Sequence, residues 1–133
     1  GVIDVPRLLL LFDLTEIEWR IMTQMGEHAV TSLNGLAVVL MQDRGQLSRA
    51  VKSLVERGYL TRNRKPGGPE IEIGLAEGGK LLQLRMVDLA IQRDEFLTDG
   101  IDPDDLAAAR RVVEHMITRA EILAEQALAE GSA

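Results

Sequence analysis

The sequence contains no cysteine, only two histidines and only four aromatic residues. Without cysteine, disulfide bonds, thiolate zinc sites, thiol nucleophiles and cysteine-based redox sensing are excluded. The sequence also has no His-Glu-x-x-His pattern, no phosphate-binding glycine loop and no serine nucleophile elbow. We therefore expect a protein that is not an enzyme, with no metal site and no cofactor.

Long apolar runs are missing as well. No uncharged apolar stretch approaches the ~20 residues that a membrane-spanning helix needs, and no signal-peptide pattern opens the chain. The apolar fraction of 46% and the charged fraction of 27% are ordinary for a folded chain. We expect a cytoplasmic protein of one domain, or of one small domain plus an arm, with no membrane partner.

The charge is distributed unevenly along the chain. The formal net charge is −6, yet residues 43–65 carry seven basic and two acidic side chains, and the segments on either side are acidic overall. A basic block inside an acidic protein is a candidate surface for a polyanion such as nucleic acid. The alternative is a solvated basic surface that binds nothing.

Capping signals and apolar periodicity predict the secondary structure. Thr15 and Glu18 form a capping box, Thr31-Ser32 and Asp43 precede two short apolar-striped helices, and Pro103 follows a further cap. Helices are predicted over residues 2–12, 15–26, 33–41, 44–57, 77–98 and from 103 onward, and strands over 60–64 and 71–75.

This order of elements predicts a winged helix-turn-helix. The expected fold class is mainly α with a small β-hairpin wing, flanked by N- and C-terminal dimerisation helices. The expected domains are a dimerisation segment (1–14), a DNA-binding winged helix (15–76) and dimerisation helices (77–133). Residues 81–91 place apolar side chains on more than one face, which favours a homodimer, since one face then meets a partner subunit. The alternative is a helix buried within one subunit.

The helix over residues 44–57 is predicted to read DNA. At about 100° per residue, Leu47, Val51 and Leu54 point inward, whereas Arg49 and Lys52 point outward with Ser53. Such a helix fits the major groove of DNA. There an arginine side chain can pair with guanine, and a glutamine side chain, here Gln46 on the flank of the helix, can pair with adenine. A simpler role for Lys52 is an ion pair with the glutamate four residues on.

Polar residues at the start of the preceding helix complete this surface. We expect Thr31, Ser32 and Asn34 to contact phosphates of double-stranded DNA and so to position the reading helix. The alternative is that Thr31 or Ser32 only caps the helix.

Four runs of the sequence resemble the MarR family of bacterial transcription regulators. They are LTEIEWRIM (14–22), LA (36–37), DRGQLSRAVKSLVERGYL (43–60) and LAEGGK (75–80). The resemblance implies a homodimer whose two winged helices bind the two halves of a pseudo-palindromic operator. It also implies DNA contacts from Arg44, Gln46, Ser48, Arg49 and Lys52.

The wing departs from the family pattern. The family usually places Asp-x-Arg there, and the arginine enters the minor groove, but this chain has Gly67 and Pro69 at those places. We expect Arg62, Arg64 and Lys65 on the hairpin stem to contact phosphates instead. The acidic Glu70 and Glu72 on the returning strand are expected to oppose this.

Family members often respond to small aromatic or other anionic effectors, and the resemblance implies a ligand-responsive repressor. The candidate effector-binding residues are Phe12, Trp19, Arg20, Met22 and His28. The alternative for Trp19 is a purely structural role in the core. Two other functions remain open: a winged-helix protein-interaction module, and a small-molecule sensor, each without DNA binding.

Overall fold

The computed structural model of the protein describes residues 5–26, 30–93 and 95–131. The helices are α1 (Val5–Phe12), α2 (Glu16–Met25), α3 (Leu33–Leu40), α4 (Arg44–Glu56), α5 (Glu77–Arg93), α6 (Glu95–Thr98) and α7 (Pro103–Gly131). The strands are β1 (Val30–Ser32), β2 (Leu60–Arg64) and β3 (Ile71–Leu75). The mainly helical fold with a small β-sheet confirms the predicted fold class. The helix predicted over 77–98 is described as α5 and α6, on either side of residue 94.

The helices begin where the capping residues predict. Thr15 Oγ1 accepts from the backbone N–H of Glu18 at 3.2 Å, and Glu18 Oε1 accepts from that of Thr15 at 2.9 Å. Ser32 caps α3, and Asp43 Oδ2 caps α4 by accepting from the N–H of Gln46 at 3.0 Å. A helix start leaves backbone donors without partners within the helix, and these side chains satisfy some of them.

The sheet contains one strand more than predicted. Its antiparallel order is β1–β3–β2, and Thr31 of β1 is paired with Ile73 of β3. A strand of three residues has too little alternation to be recognised from sequence. Of the two residues considered as caps of α3, Ser32 is the cap and Thr31 lies in the strand.

One compact unit, the winged-helix unit, spans Pro6–Gly79. Its core is formed where α2, α3, α4 and the sheet meet. The largest fully buried side chains are Ile21, Met22, Met25, Leu36, Leu47, Val51, Leu54 and Ile73. Each such side chain contributes about 1.5–3 kcal/mol by leaving water, so this core fixes the orientation of α4.

The residues from Lys80 onward belong to a second compact unit. Within it an ion pair joins Arg85 of α5 to Glu121 of α7. Several large apolar side chains of α7 are exposed: Met116 by 47%, Leu123 by 52% and Val112 by 58%. Among the described helices, none is long and apolar enough to cross a membrane.

Candidate nucleic-acid interface

Helix α4 presents one apolar and one polar face, as its sequence predicts. Leu47, Val51 and Leu54 are fully buried, whereas Arg49 and Lys52 are exposed. Gln46 is also exposed, and Ser48 is half-buried. Within the described residues, Lys52 has no ion pair with Glu56, so its charge remains available to a ligand.

Two polar residues near the C-terminal end of α4 are engaged within the protein. Ser53, predicted to point away, is half-buried and donates from its hydroxyl to Glu18 Oε2 at 3.1 Å. Arg57 donates to the backbone carbonyl oxygens of Asp13, at 2.6 Å, and Phe12, at 3.3 Å. Of the seven cations in residues 43–65, Arg57 therefore binds other parts of the protein. The other six are exposed, three on α4 and three on the wing.

An open pocket of about 370 Å³ lies between the N-terminal end of α4 and the wing. The pocket is lined by Leu33, Arg44, Gly45, Ser48, Arg62 and Ile71. Three predicted DNA contacts from two separate elements, Arg44, Ser48 and Arg62, thus lie around one concave surface. The N-terminus of a helix adds partial positive charge here, so the pocket suits a phosphate group.

The wing presents its two stem arginines and the strand acid Glu72 on opposite faces. In the β2–β3 register, Arg62 pairs with Ile73, Arg64 pairs with Ile71, and Asn63 pairs with Glu72. Side chains of directly paired residues lie on the same face, and successive residues alternate. Glu72 therefore shares its face with Asn63 and not with the stem arginines, whereas Glu70 lies opposite Lys65, whose backbone N–H donates to the Glu70 carbonyl at 2.9 Å.

A second groove, of about 400 Å³, lies beside the exposed face of α4. It is lined by Glu16, Ile17, Arg20, Gln42, Gln46 and Arg49. Arg20, predicted as an effector residue, thus lines the same groove as two predicted base-reading side chains, and it donates to the Leu40 carbonyl at 2.6 Å. The sequence analysis did not identify Gln42 as a residue of this groove. The only feature of the sequence that could have indicated it is its position directly before the N-cap residue Asp43.

The residues at the start of α3 differ in their availability. Asn34 is exposed, and Thr31 is half-buried in β1. The Ser32 hydroxyl accepts from the backbone N–H of Gly35 at 2.9 Å. Asn34 is therefore the most accessible of the three side chains predicted to contact phosphate.

The predicted effector residues are only partly brought together. The rings of Phe12 and Trp19 lie 6.2 Å apart between centroids, tilted by 37°, and both side chains are half-buried. Met22, also predicted to bind an effector, is 0% exposed and belongs to the core. His28 lies outside the described residues. No cluster of three metal-ligating side chains occurs among the described residues.

Comparison with protein families matches residues 12–68 to the MarR family. The chain is similar in structure to a MarR family transcriptional regulator from Silicibacter pomeroyi, with 19% identity, a TM-score of 0.63 and coverage of 86% of this chain and 77% of the other. A mutant MarR from E. coli in complex with operator DNA is 22% identical, with a TM-score of 0.59 and coverage of 82% and 79%. NadR in complex with 4-hydroxyphenylacetate is 15% identical, with a TM-score of 0.64 and coverage of 84% and 80%. Comparison with curated proteins finds no match.

Proposed function

We propose that this chain is a winged-helix transcriptional regulator of the MarR family rather than an enzyme, and that it represses transcription as a homodimer that binds a pseudo-palindromic operator. The observation that carries the proposal is the polar face of α4. There Gln46, Arg49 and Lys52 are exposed on a helix whose opposite face is fixed in the core. A helix of this kind enters the major groove and reads base edges with its exposed side chains.

The wing and the start of α3 supply the positioning contacts in this proposal. Arg44 and Ser48 bind phosphate together with Arg62 in the pocket that they line. Arg64 extends this basic surface along the wing, Lys65 adds a cation just after β2, and Thr31, Ser32 and Asn34 add polar contacts. Phosphate contacts supply most of the affinity of such complexes, so binding weakens steeply with salt.

Exposed apolar side chains support the proposed dimer. Leu10 and Leu11 of α1 are 83% and 55% exposed, and Phe96 in α6 is 73% exposed. Apolar side chains that form one exposed patch are typical of a subunit interface, and the proposal places these three side chains there. We assign dimerisation to residues 1–14 and 77–133, and DNA binding to residues 15–76.

The contact between Phe12 and Trp19 supports a site for a small effector. Flat apolar molecules stack against such rings, and a carboxylate on the molecule favours a nearby cation. The relative NadR is described in complex with 4-hydroxyphenylacetate, an aromatic anion. Because Trp19 is the only tryptophan of the chain, its fluorescence reports binding when aromatic carboxylates are titrated. An unchanged signal across such compounds contradicts this site.

Selection from a pool of random-sequence duplexes tests the proposed DNA binding. We expect enrichment of an inverted repeat whose half-sites lie about 34–36 Å apart, one helical turn, or a multiple of that distance. Recovery of unselected duplexes at low salt contradicts sequence-specific reading.

A second function is favoured by the tip of the wing, where Gly67 and Pro69 offer no cation. Under this alternative the unit binds another protein, or senses a small molecule, without binding DNA. Absence of any duplex binding, with Trp19 fluorescence still responding to a small molecule, supports the sensor. Absence of both responses leaves the protein-interaction module as the remaining candidate.

A further inference from the structure

We propose that Arg57 is a positioning residue that couples the end of α1 to the end of the recognition helix α4, and so fixes the distance between the two reading heads of the dimer. The proposal rests on the dimeric DNA binding proposed above. It assigns a role to a cation of the basic block that does not face DNA.

The C-terminal end of α1 needs partners for its last carbonyl groups. The chain turns sharply at Asp13, whose φ is +52°, and Leu14 donates from its backbone N–H to the carbonyl of Leu9 at 3.0 Å. The carbonyl oxygens of Phe12 and Asp13 both accept from the guanidinium group of Arg57. Arg57 is itself the C-cap residue of α4. One planar group therefore joins the ends of two helices.

The guanidinium group is held from the other sides by residues of the same unit. Glu18 is only 5% exposed, and its Oε2 lies 3.8 Å from Nη1 of Arg57. The Glu18 carboxylate is fixed by Thr15 through Oε1 and by Ser53 through Oε2. The Tyr59 ring lies under the guanidinium carbon, which is 5.0 Å from the ring centroid. A group fixed by these contacts transmits a displacement instead of absorbing it by rotation.

Lysine cannot reproduce this geometry. An arginine side chain presents five N–H donors in a rigid plane, which allows two carbonyl oxygens and a carboxylate to be contacted together. A lysine ammonium is a single point on a flexible stem. Arg57→Lys therefore keeps the positive charge and removes the rigid connection between α1 and α4.

The consequence concerns the spacing of half-sites. α1 carries the exposed Leu10 and Leu11, which the dimer proposal places against the partner subunit. If α1 is fixed to α4 through Arg57, the dimer interface sets where each α4 stands on the duplex. A free hinge at this point would let each reading head adapt to several spacings.

The test compares wild type, Arg57→Lys and, as a matched control, Arg119→Lys at an exposed position of α7. Affinities are measured for the selected operator, for operators with one base pair added or removed between half-sites, and for a single half-site. Circular dichroism and thermal unfolding establish that each variant is folded. We expect Arg57→Lys to lower the preference for the native spacing by about fivefold or more, the lower range of typical coupling between sites. Its affinity for a single half-site stays within about twofold of wild type, since the reading side chains are unchanged.

Two results overturn the proposal: an unchanged spacing preference in Arg57→Lys, or an equal reduction of affinity on every duplex. A second variant, Glu18→Gln, keeps an acceptor for Thr15 and removes the charge that orients Arg57. Glu18→Gln is expected to lower the preference for the native spacing by a smaller factor than Arg57→Lys does. If the wild-type protein selects no operator, the proposed function fails instead. Hydrogen exchange of the free protein then tests whether Arg57 holds the end of α1. Exchange at the amide of Leu14 is expected to be faster in Arg57→Lys, and an unchanged rate overturns the proposal.

Discussion

Replacing Gly79 by alanine is expected to destabilise the winged-helix unit, although alanine is the better helix former. Gly79 lies in the first turn of α5, against the loop that follows α4. A Cβ atom at this position would lie 1.9 Å from the carbonyl oxygen of Tyr59 and 3.1 Å from Cδ2 of Leu75. The first contact is with backbone, which cannot move aside as the end of a side chain can.

The size of the effect follows from two opposing contributions. In a helix alanine is favoured over glycine by about 1 kcal/mol. Cβ contacts shorter than 3.0 Å are essentially never observed, so Tyr59 or the start of α5 must shift by about 1 Å. The Tyr59 carbonyl accepts from the N–H of Ala76 at 3.1 Å, and this shift would strain that bond. Overpacking costs about 1–3 kcal/mol and a broken hydrogen bond about 1 kcal/mol, so we expect a net destabilisation of about 1–3 kcal/mol.

Urea unfolding at a fixed protein concentration measures this change in the free energy of unfolding. The control is Gly68→Ala in the wing, where the nearest atom to the added Cβ is 4.0 Å away. We expect the control to stay within about 0.5 kcal/mol of wild type. If Gly79→Ala is as stable as wild type or more so, the packing of the first turn of α5 against the loop after α4 is not as described.

Three further predictions concern the reading helix and the wing. Asp43→Ala is expected to lower the free energy of unfolding by about 1 kcal/mol, and Asp43→Asn to leave it nearly unchanged, because asparagine is an equally good N-cap; equal destabilisation of both variants in thermal unfolding would contradict a capping role. Leu54→Ala is expected to cost about 2–5 kcal/mol in urea unfolding, because the side chain is fully buried; a cost below about 1 kcal/mol would contradict its place in the core. Replacing Arg62 and Arg64 together by alanine is expected to reduce the slope of log affinity against log salt by about one for each phosphate that the wing no longer neutralises; an unchanged slope would mean that the wing does not touch the DNA backbone.

Local signals explain why so much of the fold could be predicted. The caps at Thr15, Ser32 and Asp43 act within a few residues, so their sequence pattern is sufficient to place three helix starts. The two faces of α4 follow from a period of 3.6 residues, and the buried Leu47 and Leu54 confirm it. The positions of Arg49 and Lys52 on the exposed face follow from the same period.

Contacts between distant parts of the chain explain what could not be predicted. β1 exists because Thr31 pairs with Ile73, a partner that no local pattern identifies. The roles of Arg57 and Glu18 depend on carbonyl and hydroxyl groups on other elements. Met22 is buried because α2 packs against both α3 and α4, which no pattern within α2 itself indicates.

The central claim is that the exposed face of α4 reads base pairs. Repeating the duplex selection with Arg49→Ala tests it most directly, since Arg49 is exposed and belongs to neither core nor cap. We expect the variant to select the same inverted repeat with base preference reduced by about tenfold at one position in each half-site, symmetrically placed. Selection of the wild-type sequence with undiminished preference at every position would contradict the claim.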